Sequence, residues 1–190
     1  MKELAILLPL VAFVALAALT AIVLRRAGSI VARTREVDSF RGAVRDLSAR
    51  VETSLEGATS RIDAVRRGNA AAETIGPTIG AATDAVERYA EETRALHGPP
   101  HVLAIRDDIV AELERAARAL QTVDHGVTIM AQVRRRGREL EAQTALKRGY
   151  LNLIHAREAI ARHALRVDDL KVSVEPGGRN AAITVRETRH

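Results

Sequence analysis

At 190 residues, with 28 % charged and 47 % apolar side chains, the chain has the length of one domain or at most two and no composition that marks disorder. It contains no cysteine, which excludes disulfides, thiolate metal sites and cysteine nucleophiles. Phe13, Phe40, Tyr89 and Tyr150 are its only aromatic residues, so helices packed through Ala, Val, Leu and Ile are expected rather than a thick globular core. The net charge is +5, and apart from Lys2, Lys147 and Lys171 every basic group is arginine, a bias that a GC-rich genome produces without any function.

Leu4 to Leu24 is a run of 21 uncharged residues in which only Pro9 and Thr20 depart from apolar character. At about 1.5 Å per residue a helix of this length spans roughly 31 Å, close to the ~30 Å hydrocarbon core of a bilayer. Pro9 falls in the second turn, where a membrane helix tolerates it. A cleaved signal peptide would have a basic start and a shorter apolar stretch, whereas here Met1-Lys2-Glu3 leads directly into the run and Arg25-Arg26 ends it. Residues 1–27 are therefore expected to be a retained transmembrane anchor. Lys2 before the run is offset by Glu3, while Arg25, Arg26, Arg33 and Arg35 follow it against Glu36 alone. That bias places the C-terminal bulk in the cytoplasm, at the inner (plasma) membrane, with the four arginines available to anionic headgroups.

Beyond the anchor, Phe40, Val44, Leu47, Val51, Leu55, Ala58, Ile62 and Val65 alternate spacings of three and four, which puts them on one stripe of a helix. Eleven residues separate Phe40, Val51 and Ile62 in turn, a period of a nearly straight seam. Gly76-Pro77 interrupts the pattern as a kink or short break. Ile79, Ala82, Val86, Tyr89, Thr93 and Leu96 then resume it. His97-Gly98-Pro99-Pro100-His101 is the strongest stop signal in the chain, since glycine suits a helix C-cap and consecutive prolines cannot continue it.

A second helical pattern starts near residue 101 with Val102, Ile105, Ile109, Leu113, Ala116, Leu120, Val123, Val127 and Met130. It is followed less clearly through Val133, Leu140, Leu151, Ile154 and Leu165 to an end near Asp168, with Gly126, Gly137 and Gly149 as weak points. Two arms of nearly equal length joined by a short turn predict a mainly α protein in which residues 28–168 form a long antiparallel helical hairpin, coiled-coil-like, with its turn at 97–101. Each arm would reach roughly 100 Å if unbroken.

Between residues 81 and 114 the acids Asp84, Glu87, Glu91, Glu92, Asp107, Asp108, Glu112 and Glu114 outnumber Arg88, Arg94 and Arg106, for a net charge of −5. In a hairpin this acidic turn stands far from the membrane, and Asp84, Glu87, Glu91, Glu92, Asp107 and Asp108 are candidate partner-binding residues. In the tail, residues 169–190, Lys171 to Glu175 and Ala182 to Arg186 alternate polar and apolar side chains around Pro176-Gly177-Gly178. That pattern leaves a β-hairpin or disorder open.

No catalytic motif is present. There is no phosphate-binding glycine loop, no second Glu-x-x-His to pair with the single one in the tail, Glu187-Thr188-Arg189-His190, as carboxylate metal sites in bundles require, and no His-Glu-x-x-His. His155 and His163 lie eight residues apart near a helix end and read as solvated histidines. The densest basic run, Arg134-Arg135-Arg136-Gly137-Arg138, spreads around a helix at about 100° per residue. Without an aromatic beside it to stack on bases, it reads as a solvated face pairing with Glu139 and Glu141 rather than a nucleic-acid site.

These features predict a non-enzymatic, cofactor-free coiled-coil scaffold or adaptor held at the membrane, working through protein partners or a homo-oligomer. In layout the chain resembles bacterial single-pass coiled-coil proteins of the envelope and division machinery, a likeness carried by organisation and by no motif. The alternatives are a helical signal-transduction relay and an exported helical protein after signal cleavage.

Overall fold

The computed structural model describes residues 2–133 and 137–170, excluding the side chains of residues 2–15, 17, 26–31, 33, 101 and 133. The protein is mainly helical: α1 (Lys2–Arg66), a single 3-10 turn (Ala72–Thr74), α2 (Gly76–Arg94), α3 (Pro100–Val133) and α4 (Glu139–Asp168), with no strand among the described residues. The β-hairpin considered for the tail lies outside them.

The stripe from Phe40 to Val65 is buried as its spacing requires, and Val37 extends it by one turn; all nine side chains are at most 3 % exposed. What ends this helix is a Schellman cap. The amide of Asn69 donates to the Ala64 carbonyl (2.8 Å) and that of Gly68 to the Val65 carbonyl (3.0 Å), while Gly68 takes φ +76°, a left-handed conformation natural to glycine. The chain therefore reverses at residues 67–75. Gly76 and Pro77 do not kink a continuing helix; they open α2, where proline in the first turn leaves no donor unsatisfied.

A second reversal separates α3 from α4, with Gly137 at φ +64° one residue before the Arg138 cap position. Each expected 100 Å arm is thus folded on itself, and α3, the longest helix lying wholly within the bundle, covers only about 50 Å at 1.5 Å per residue. The turn between residues 95 and 99 is where the prolines place it, with Pro100 as the first residue of α3.

The four helices contact one another in a closed ring, α1 with α2, α2 with α3, α3 with α4 and α4 with α1. Every neighbouring pair is antiparallel. Arg50 meets Glu92 and Ser54 meets Tyr89 across α1 and α2; Arg94 meets Glu114 across α2 and α3. Asp108 approaches Arg166 across α3 and α4, and Glu52 and Arg157, like Arg45 and Asp168, join α1 to α4. The result is an up-down-up-down four-helix bundle built on residues 37–170, from which the N-terminal half of α1 projects.

This topology moves the acidic region. The turn carrying Gly98 packs on Phe40, and the end of α4 reaches Arg41 and Arg45, so both sit at the end of the bundle from which α1 projects. The segment 81–114 is not a remote tip. The return of Asp168 toward the start of the helical region does occur, by way of four helices rather than two.

In α4 the buried side is Ala142, Leu146, Gly149, Leu153, Ala156, Ala159, Ile160 and Val167. Leu140, Leu151 and Leu165, which the sequence pattern assigns to the core, are instead 79 %, 43 % and 64 % exposed. The reason lies in the close approach of α3 and α4. A Cβ on Gly149 would stand 2.5 Å from a Val123 methyl and 2.8 Å from the Ala119 carbonyl oxygen, and one on Gly126 would stand 3.0 Å from the Leu146 amide nitrogen. The helices meet on their smallest residues, so the weak points in helix propensity are the points of contact.

Leu16, Leu19, Ile22, Val23 and Leu24, on the projecting part of α1, are all more than half exposed. Among the described residues no helix is long and apolar enough to cross a membrane; most side chains of the expected anchor Leu4–Leu24 lie outside that set.

Two glycine substitutions separate packing from propensity. Gly149→Ala should destabilise the bundle by about 1–3 kcal/mol through overpacking, whereas Gly57→Ala, in open space within α1, should stabilise it by about 0.5–1 kcal/mol. Urea unfolding followed by circular dichroism measures both.

Candidate interaction surfaces

The core holds no titratable side chain among the described residues. Its two buried polar side chains, Thr59 and Thr93, both donate to carbonyls of their own helix, those of Glu56 and Tyr89. Nor do any three described His, Asp or Glu side chains converge as a metal-holding group. Charged chemistry is confined to the surface and to the edges where helices meet.

A groove of about 750 Å³ lies between α2 and α3, floored by Val86, Ala90, Leu113 and Ala117. Asp84, Glu87, Glu91 and Glu114 line it together with Arg88, Arg94 and Arg118. Arg94 bridges its walls, pairing with Glu91 on its own helix and with Glu114 at 2.5 Å on α3. Arg118 approaches the same Glu114 at 3.8 Å. Four carboxylates against three guanidinium groups leave the groove close to neutral.

The six acids singled out from the sequence are therefore divided among three sides of the bundle. Asp84, Glu87 and Glu91 belong to the groove. Glu92 turns toward α1, where it receives two hydrogen bonds from Arg50 (2.5 and 3.0 Å). Asp107 is held by Arg106 of its own helix at 2.7 Å, and Asp108 faces α4, 3.8 Å from His163 and 3.9 Å from Arg166.

Arg50 is the centre of the α1–α2 edge. Its guanidinium lies over the Tyr89 ring at 5.2 Å, Tyr89 in turn shares a hydrogen bond with Ser54 (3.1 Å), and Asp46 stands 3.0 Å from the Arg50 Nε as an ion pair without hydrogen-bond alignment. The hydrogen bond from Arg50 holds the Glu92 carboxyl below its usual 4.5, against the opposing effect of desolvation. On the α1–α4 edge, Arg41 donates to the carbonyls of Val167 (3.3 Å), which also accepts from the Leu170 amide, and of Leu170 (2.6 Å), just past the C-terminus of α4. This arginine ties the end of α4 to α1, a role its sequence context does not signal.

Arg25 and Arg35 are exposed on the projecting helix; the side chains of Arg26 and Arg33 lie outside the described residues. Of the basic run, Arg134, Arg135 and Arg136 also lie outside, while Arg138 pairs with Glu141 at 2.6 Å, and this hydrogen bond holds the Glu141 carboxyl below its usual value. His155 is exposed on α4. The fold and its surfaces define a four-helix bundle with an extended first helix, and no family model, curated protein or solved structure is similar to the chain.

A carboxylate whose folded value is lowered stabilises the fold above its unfolded value and ceases to do so as the pH falls through the folded one. For Glu92 that loss begins below about pH 4.5. Glu92→Gln should lower the urea midpoint at neutral pH and make the decline on acidification shallower, as a comparison of unfolding curves at neutral and acidic pH would show.

Proposed function

We propose that the protein is a membrane-anchored, non-enzymatic scaffold, whose N-terminal helix inserts in the inner membrane and presents the four-helix bundle to partners in the cytoplasm. The observation that carries this reading is the continuity of α1 from Lys2 to Arg66. One end of this single helix is locked into the bundle core, and the other carries an uncharged apolar run whose described leucines are at least 60 % exposed. Leaving such a surface in water is costly at about 25 cal/mol per Å². A hydrocarbon environment removes that cost, and the run has the length for one crossing.

Arg25, Arg26, Arg33 and Arg35 form a basic collar between this run and the first core residue, Val37, which supports a cytoplasmic bundle and contact with anionic headgroups. The bundle's acids do not form a distal acidic tip, so partner binding is assigned to the helical faces, the α2–α3 groove among them. A role in organising the bacterial envelope or division machinery agrees with this layout.

Alkaline carbonate extraction tests the anchor. The full chain should stay in the membrane pellet with its intact mass starting at residue 1, and replacing Leu16 and Leu19 together by arginine should release most of it. Quantitative extraction of the unaltered chain, or a mature mass lacking the apolar run, would replace this reading with that of an exported or unanchored protein.

A further inference from the structure

Within the bundle, the only exposed large apolar side chains among the described residues are Leu140, Leu151 and Leu165, and all three belong to α4. At 100° per residue they fall within an arc of about 40°, diametrically opposite the buried side of the same helix. Extended along the helix, this outer stripe alternates spacings of four and three, the pattern of a coiled-coil seam. Helix α4 thus carries two seams, and among the described residues only one is covered.

We propose that the second seam pairs with the same seam of a second copy, in the antiparallel sense. The stripe is nearly palindromic in chemistry about a point midway between Asn152 and Leu153. A two-fold axis there sets Leu140 against Leu165 of the other copy and Leu151 against Ile154 of the other copy. The same register brings Lys147 opposite Glu158 of the other copy, twice by symmetry. Neither of these two charged side chains has an ion pair within its own chain among the described residues, although most arginines on the helix edges do, so both are available. A parallel arrangement would instead place Lys147 on Lys147 and Glu158 on Glu158, which like-charge repulsion disfavours. Charge complementarity therefore selects both the partner and the direction.

The pairing uses only the outer surface of α4 and does not need the anchor. Taken together with the anchored reading, it has a geometric result: α4 runs toward the end from which α1 projects, so an antiparallel pair sends its two α1 extensions out at opposite ends. Such a dimer joins two facing stretches of bilayer rather than two neighbours in one.

The natural absence of cysteine makes crosslinking unambiguous. Thr144 and Ala161, both exposed, face each other across the proposed axis. In the detergent-solubilised full chain, the double variant Thr144→Cys/Ala161→Cys should form a disulfide-linked dimer on mild oxidation, while Thr144→Cys alone should remain monomeric on a denaturing gel. In sedimentation equilibrium, Lys147→Glu should weaken self-association by roughly tenfold, and Lys147→Glu/Glu158→Lys should restore it. Crosslinking by Thr144→Cys alone as efficiently as by the double variant would overturn the antiparallel register, and so would a failure of the charge swap to restore association. A double variant with native helicity that does not crosslink would overturn the pairing itself. Vesicles bearing the full chain should cluster; cysteine crosslinking without clustering would count against the anchored reading and leave the pairing standing.

Discussion

The constraint on which the bundle depends is the shortage of large side chains. With Phe40 as the only fully buried aromatic among the described residues, the helices have to come close enough for Val, Leu, Ile and Ala to fill the space between them, because a void forfeits dispersion contacts that nothing else restores. At the α3–α4 contact the approach is closest, and there Gly126 and Gly149 remove even the Cβ. Glycine within a helix lowers its intrinsic propensity by about 1 kcal/mol relative to alanine. Here that loss is offset by burial of Leu146, Leu153, Leu120 and Val123, all at most 1 % exposed.

A core of interchangeable aliphatic residues on a repeat of three and four specifies register weakly, since sliding one helix by a turn would bring similar side chains into contact. The edge charges supply the discrimination. Arg50 with Glu92, Arg94 with Glu114, Arg157 with Glu52 and Arg45 with Asp168 tie each of three helix edges at definite levels. Exposed pairs of this kind contribute roughly 0–1 kcal/mol apiece, so their effect is to select one alignment rather than to hold the bundle together. Arg41 adds a directional element by satisfying carbonyls at the end of α4.

The three stripes from Phe40 to Val65, Ile79 to Leu96 and Val102 to Met130 were legible in the sequence, because large aliphatic residues mark the inward side there unambiguously. The turn before Pro100 was equally legible. The reversal after Arg66 was not, since Gly68-Asn69 is a milder punctuation than Gly76-Pro77, which reads as a kink or short break where the structure has a helix start. In α4 the sequence pointed to the wrong side: its core depends on Ala142, Gly149, Ala156 and Ala159, which carry little hydrophobic signal, whereas the leucines that do carry it face outward. The hairpin of double length and the remote acidic turn follow from the two reversals, after Arg66 and before Arg138, that the periodic pattern runs through. The distribution of the candidate acids over three sides depends on the fourfold ring, which periodicity alone does not reveal.

The continuity of α1 also fixes an azimuth. Between Leu24, the last residue of the apolar run, and Val37, the first of the core stripe, thirteen residues of uninterrupted helix span roughly 20 Å and carry the backbone through about three and a half turns. No hinge relieves this segment of its helical phase. The compass bearing of the bundle about the axis of the apolar run, and with it the direction in which the outer seam of α4 looks, is therefore written into the number of residues in the collar rather than left to a swivelling linker.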